Sequence, residues 1–343
     1  MRLDNTIFSM YSKCPLMYFE RYEAADFVHQ TATTQETGSS KLEAPGPAGG
    51  NDSGGATGIS GLPILGQPQS TGPGLELDQP AEGRDFGSRM HQLLDERRRG
   101  LMGQAVSPLA EWPDEAIESE AQATLAAYEA HYVRDYEYLE SERTHVLPLP
   151  VICPACGSGK SEPVHCADGL ETGRHRCLNC REEYSQHELV VKLDAVVRHA
   201  DRTIGPMDTK TESRPGYNTR EDWAGKTQAK IYLWALEKLY PTERVSRLVV
   251  DVVSRGSPKA QRGPVFTRLD DINSTPQALQ EAIRNVIWVA HDIEQSRKRN
   301  WWRSNMNLCK KGWERCDFYP LHVIGRTVKN LRKYRVAEQY LDL

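Results

Sequence analysis

Asp194, Asp208 and Lys210 are residue types that phosphodiester hydrolysis uses. Asp208 and Lys210 stand two apart in the run PMDTKT, which reads as a strand, so both side chains leave the same face. Asp194 lies in the preceding β-rich run LVVKLDAVVR, and the intervening HADRTIG predicts the turn of an antiparallel hairpin. Such a hairpin would bring the two carboxylates and the lysine onto one patch. Paired carboxylates are hard oxygen ligands for Mg2+ or Mn2+, and a metal held there lowers the pKa of a bound water. The lysine would either stabilise charge developing on the phosphate or orient the attacking water. Taken alone, D-x-K is more often an exposed polar pair on a strand.

The cysteines point to separate chemistry. Cys153-x-x-Cys156 and Cys177-x-x-Cys180 are two knuckles separated by twenty residues, a spacing that predicts a closed, tetrahedral Zn2+ site of ribbon type. Cys166, His165 and His175 lie between the knuckles, and any of them could replace a knuckle cysteine. Ribbons are usually structural platforms, so no catalysis is expected of this one.

These residues need elements to position them. Periodicity predicts helices over 84–99, 113–138 and 222–239, and strands over 144–151, 189–198 and 247–254. Thr275-Pro276 opens a further helix with an apolar stripe at Leu279, Ile283, Val286, Ala290 and Ile293. Strands mixed with helices imply an α/β core. Residues 31–81, rich in Gly, Pro, Ser, Thr and Gln, read as a disordered linker, because they can bury too little apolar surface to offset the cost of ordering. The expected organisation is an N-terminal helical segment (1–30), the linker (31–81) and a first core part (82–151). A zinc-ribbon insertion (152–188), a second core part (189–322) and a basic helix (323–343) follow.

The chain has 343 residues, 38% hydrophobic, with a net charge of −4, so there is no overall basic signature of nucleic-acid binding. Charge is uneven, however. Between Arg297 and Arg335 there are twelve Lys or Arg against Glu314 and Asp317, with Trp301, Trp302 and Trp313 interleaved. That patch suits phosphate contacts and base stacking, or equally a solvated helix face. No apolar run reaches the length of a membrane helix, and the N-terminus lacks the parts of a signal peptide. A cytoplasmic protein without a membrane partner is therefore expected, and its thiols would be free for metal.

The ordered series Gly87-x-x-x-His91, Lys192-Leu193-Asp194, Asp208-Thr209-Lys210-Thr211 and Gln228-x-x-x-Tyr232 resembles the RecB-like branch of the PD-(D/E)xK nucleases. The opening Ser12-x-Cys14-Pro15 with Tyr18 is similar to the start of that family. The resemblance spans residues 3–26, 83–147 and 189–322 and fails in the linker and the 152–188 module. It implies a restriction-endonuclease-like α/β core, a central mixed sheet flanked by helices. It implies His91, Asp194, Asp208 and the Thr209 carbonyl as ligands of Mg2+ or Mn2+, and Lys210 as the catalytic lysine. Gln228 and Tyr232, one turn apart on a helix, would line the site and contact DNA or the lysine. Glu142, among several other acids, is a further acidic candidate.

In the iron–sulfur subset of this family, one N-terminal and three C-terminal cysteines hold a 4Fe-4S cluster. Cys14, Cys309, Cys316 and His322 would be the ligands here, with histidine in place of the last cysteine. The implied activity is a metal-dependent DNA exonuclease in DNA processing, recombination or repair, with a helicase or recombination protein as a conceivable partner. The alternatives are a catalytically inactive DNA-binding accessory protein on the same fold and a zinc-ribbon RNA-binding protein. The presence of Asp194, Asp208 and Lys210 together argues against the first, and the second would make the nuclease motifs coincidence.

Overall fold

The computed structural model describes residues 82–106, 112, 114–132, 136–166, 168, 171–212, 219–255, 263–299 and 301–303, together with 2–4, 8, 10–12, 75–77, 318 and 334–336. Its centre is a six-stranded mixed sheet. Strand β7 (Glu188–Arg198) carries the antiparallel strand β3 (Glu137–Pro148) along its whole length. Strand β1 (Arg2–Leu3) pairs with its first residues, and β8 (Ile204–Glu212) with its last. Next come β9 (Leu248–Ser254), parallel to β8, and β10 (Val265–Ile272), antiparallel to β9. Every residue of β9, LVVDVVS, is buried, as expected for an inner strand covered on both faces.

Helix α1 (Glu82–Leu101) buries Phe86, Met90, Leu93 and Leu94, one stripe of helical period. They pack with Ile117, Ala121 and Tyr128 of α2 (Glu115–His131) and with Val253 of β9. Asp114 starts α2 by accepting from the Ala116 and Ile117 amides. The parallel β8–β9 pair needs a crossover, supplied by α3 (Arg220–Gly225) and α4 (Thr227–Leu239). Helix α5 (Pro276–Arg299) buries all five residues of its expected stripe. This is the expected restriction-endonuclease-like α/β architecture.

Several boundaries differ from expectation. The helix expected to run to residue 138 stops at His131, and β3 starts at Glu137, because Tyr138 pairs with Val197 in the ladder. The helix expected over 222–239 is broken at Lys226, whose backbone is extended. Strand β10, with its polar exposed positions, was not foreseen. Leu75–Leu77 (β2), inside the stretch read as linker, pairs antiparallel with Tyr334–Val336 (β11), where a basic helix was expected. Tyr-Arg-Val, aromatic and β-branched, suits a strand better than a helix.

The chain divides into two units, residues 1–9 with 79–295, and residues 10–78 with 296–343. The first holds the sheet. In the second, the β2–β11 pair accompanies a Tyr11 hydroxyl 3.1 Å from the Ser296 hydroxyl. Among the described residues no helix is long and apolar enough to cross a membrane.

Residues 152–188 form a three-stranded antiparallel sheet, β4 (Ser161–His165), β5 (Glu171–Cys177) and β6 (Glu183–Ser185). This module is a large loop at the end of the β3–β7 hairpin, where Pro148 pairs with Glu188 and the Leu149 amide donates to the His187 carbonyl. An insertion at a hairpin end leaves the ladder intact.

Candidate active site

The β7–β8 ladder ends at the Ala195–Met207 pair, and Asp194 and Asp208 follow directly as the two strands diverge. The Thr209 amide, released from the ladder, donates to Asp194 Oδ2 at 2.7 Å. A backbone donor thereby fixes the first carboxylate. Asp208 is 1% exposed, and its oxygens lie 3.0 and 2.8 Å from Lys210 Nζ. Gln228 Nε2 donates to Asp208 Oδ1 at 3.2 Å and to the Tyr232 hydroxyl at 2.8 Å. Helix α4 thus supports the Asp208 carboxylate through two residues one turn apart.

Helix α1 brings His91. A Cβ on Gly87 would stand 2.8 Å from the Thr211 hydroxyl, so glycine there lets the helix lie close to β8. One turn further on, His91 Nδ1 lies 3.4 Å from Glu142 Oε1 and 3.6 Å from Asp194 Oδ2. The donor atoms of His91, Glu142 and Asp194 all fall within 4.8 Å of one another, a group that could hold a metal ion. One imidazole with two carboxylates is a donor set suited to a divalent cation. These residues line a cavity of about 680 Å3 with Gly87, Ser88, Gln92, Asp95, Lys192 and Thr211.

Charge in the site follows from burial and neighbours. Burial pushes the Asp208 carboxyl up to about 6, against the pull of Lys210 and with the repulsion of Asp194. Burial works against the Lys210 ammonium, but Asp208 and Asp194 outweigh it and hold its pKa above the usual lysine value. The His91 ring resists burial in the same way, raised by its bond to Glu142 and by Asp194. Burial and the two nearby aspartates push the Tyr232 hydroxyl well above its ordinary value, so it stays protonated.

Two contributors were undervalued or missed from sequence. Glu142 is held by Lys192 Nζ at 2.6 Å as well as by His91, and its backbone φ of 46° is in the left-handed region. Non-glycine residues held there are strained, and such strain collects at functional sites. Arg98, fully buried, donates to the Asp194 carbonyl at 3.1 Å and to the Thr209 hydroxyl at 2.7 Å. It ties α1 to both diverging strands.

Of the expected residues, His91 and Asp194 line the cavity and belong to the group that could hold a metal, while Asp208, Lys210, Gln228 and Tyr232 form a bonded set beside it, joined to Asp194 through the Thr209 amide of β8. The expected cluster ligands Cys14, Cys309, Cys316 and His322, and most of the basic Trp-rich stretch, lie outside the described residues.

In the module, the sulfurs of Cys153, Cys156, Cys177 and Cys180 lie within 4.8 Å of one another and could hold a metal ion. Cys153 and Cys180, and likewise Cys156 and Cys177, are 3.5 Å apart. The knuckles are built alike. Gly157 and Arg181, at φ 71° and 66°, donate their amides to the Cys153 and Cys177 carbonyls. Backbone amides of Cys180 and Asn179 bring Cys177 down to about 6, whereas burial pushes Cys153 up to about 12. His165, His175 and Cys166 are not part of this group.

The family model of the PD-(D/E)XK nuclease superfamily matches residues 67–320, and the chain belongs to that superfamily. It is therefore placed among metal-dependent phosphodiester hydrolases of nuclease type. No curated protein matches it. Among solved structures it is similar to "Crystal structure of SSO0001", at 12% identity and a TM-score of 0.29, covering 73% of this chain and 90% of that one.

Proposed function

We propose that this protein is a DNA exonuclease of the RecB-like branch, acting in DNA processing, recombination or repair. The observation that carries the nuclease chemistry is the convergence of His91, Glu142 and Asp194 on one cavity, beside the Asp208–Lys210 pair. The branch and the exonuclease action are supported by the motif order from Gly87 to Tyr232.

His91, Asp194, Asp208 and the Thr209 carbonyl would hold Mg2+ or Mn2+, with Glu142 as an additional oxygen ligand. Bound there, the metal supplies Lewis acidity toward phosphate and a water of lowered pKa. The protein's own groups do the rest. Lys210, kept protonated, offers its charge to the phosphate as negative charge builds on it. Gln228 donates to one Asp208 oxygen and is itself braced on Tyr232, which orients the carboxylate. The Thr209 amide and Arg98 hold Asp194 and its backbone in place before substrate arrives.

In this reading Cys153, Cys156, Cys177 and Cys180 hold a structural Zn2+ as a ribbon inserted between core segments 82–151 and 189–322. A cytoplasmic location, where thiols stay reduced, goes with that assignment. A 4Fe-4S cluster at Cys14, Cys309, Cys316 and His322, and a helicase or recombination partner, are proposed on motif resemblance alone.

The test is incubation of purified protein with end-labelled single- and double-stranded DNA in Mg2+, Mn2+ or EDTA. Progressive release of nucleotides from an end, abolished by EDTA, is expected. Intact DNA in both metals would overturn the reading, and internal cuts alone would overturn its exonuclease part.

A further inference from the structure

The break between α3 and α4 places a second lysine at the site. Thr219 caps α3 in a reciprocal box with Asp222, and the chain leaves that helix at Lys226, which enters α4 with extended backbone. Trp223, fully buried, lies beneath this corner. Lys226 Nζ is 3.8 Å from the centre of its indole ring, and Lys210 Nζ is 5.6 Å from the same centre. Two ammonium groups therefore share one ring, and one of them is bonded to Asp208.

Two positive charges gathered at one ring beside the site raise the local attraction for an anion. Burial and the Lys210 charge together draw the Lys226 ammonium below its usual range, which an arriving phosphate would reverse. The first turn of α4 carries no acidic residue, and Lys226 gives its amides no side-chain cap. The indole limits the freedom of the ammonium, so less entropy is lost when it binds.

We propose that Lys226 binds a backbone phosphate of the DNA strand next to the one Lys210 serves, with Trp223 as the platform that positions it. The proposal rests on the nuclease reading and adds a substrate contact to it. A lysine on a phosphate contributes a salt-dependent, sequence-independent share of affinity.

The experiment measures binding of a fluorescent single strand in Ca2+, where cleavage is suppressed, at several salt concentrations between about 50 and 200 mM. Lys226→Met keeps the apolar stem on the indole and removes the charge. Lys226→Gln repeats the loss with a polar side chain, and Lys226→Arg keeps the charge. Both neutral variants should bind roughly three- to tenfold more weakly, with the slope of log K against log salt reduced by about 0.7. Lys226→Arg should restore the slope. Neutral variants with the wild-type slope, even if they melt at lower temperature, would show a packing role and overturn the proposal. Wild-type protein that neither binds nor cleaves DNA would instead overturn the nuclease reading beneath it.

Discussion

Two aspartates on neighbouring strands, Asp208 of β8 and Asp251 of β9, are equally buried at 1% exposure and differently surrounded. The register pairs Asp208 with Val250 and Thr209 with Asp251, so alternation sends the two carboxylates to opposite faces of the sheet. Asp251 is closed in. Arg268 approaches both its oxygens, at 2.5 and 2.7 Å, the Tyr128 hydroxyl donates to it, and Tyr132 covers the guanidinium at 3.9 Å. Asp208 meets a lysine that is about one-third exposed, and an amide from Gln228. Its neighbour Asp194 opens onto the cavity. Equal burial therefore has two meanings. A carboxylate saturated by a guanidinium fork holds strands to helices, whereas one paired with a single ammonium, next to a carboxylate that lines the cavity, is the one proposed to take a cation and a substrate.

Breaking the saturated side should have the largest effect on stability. Asp251→Asn leaves the Arg268 charge buried without its partner and should cost about 3–5 kcal/mol, read as a lower denaturant midpoint. Cleavage by the folded fraction should persist. On the open side, Lys210→Ala should slow cleavage by about 10²–10³-fold while Mn2+ still binds, checked by single-turnover kinetics and metal titration. Glu142→Gln should weaken Mn2+ binding by roughly 10–100-fold with little loss of stability. Unchanged affinity would remove Glu142 from the ligand set.

The smallest effect concerns pH. In the proposed ligand set, a metal would displace the proton that burial keeps on Asp208 up to about 6 and the one that Glu142 and Asp194 hold on His91 above its ordinary value. Apparent Mn2+ affinity should therefore fall about tenfold per unit as pH drops through the raised His91 range, and more steeply below about 6, where Asp208 also takes up a proton. Calorimetric titrations across both ranges would show it; a profile with no added steepness below about 6 would remove Asp208 from the ligand set, and a wholly flat one would remove His91 as well.

How much could be read in advance depended on how local each signal is. Asp208 and Lys210 face one way because strands alternate, and the C-x-x-C knuckles close on themselves. Both are short-range facts, and the structure brings the residues together as expected. Glu142 is different. It is one of several acids in ESERT and its surroundings, and only the left-handed turn of its own backbone aims it at His91. Arg98 sits between Arg97 and Arg99, and only the phase of α1 against β8 decides which of the three is buried. The corner at Lys226 was hidden in a continuous helical pattern, since Gly225 by itself does not end a helix and the Trp223 contact is tertiary. The helix–sheet core was legible from apolar period. The Asp251–Arg268 pair was not, because its members are joined only by the β9–β10 register.

The most direct test sets Asp208→Asn beside Asp251→Asn in Mn2+-supported cleavage of end-labelled DNA, with the melting curve of each recorded. Asp208→Asn should melt close to wild type and cut nothing, while Asp251→Asn should melt early and its folded fraction still cut. Wild-type cleavage by folded Asp208→Asn would contradict the role given to Asp208.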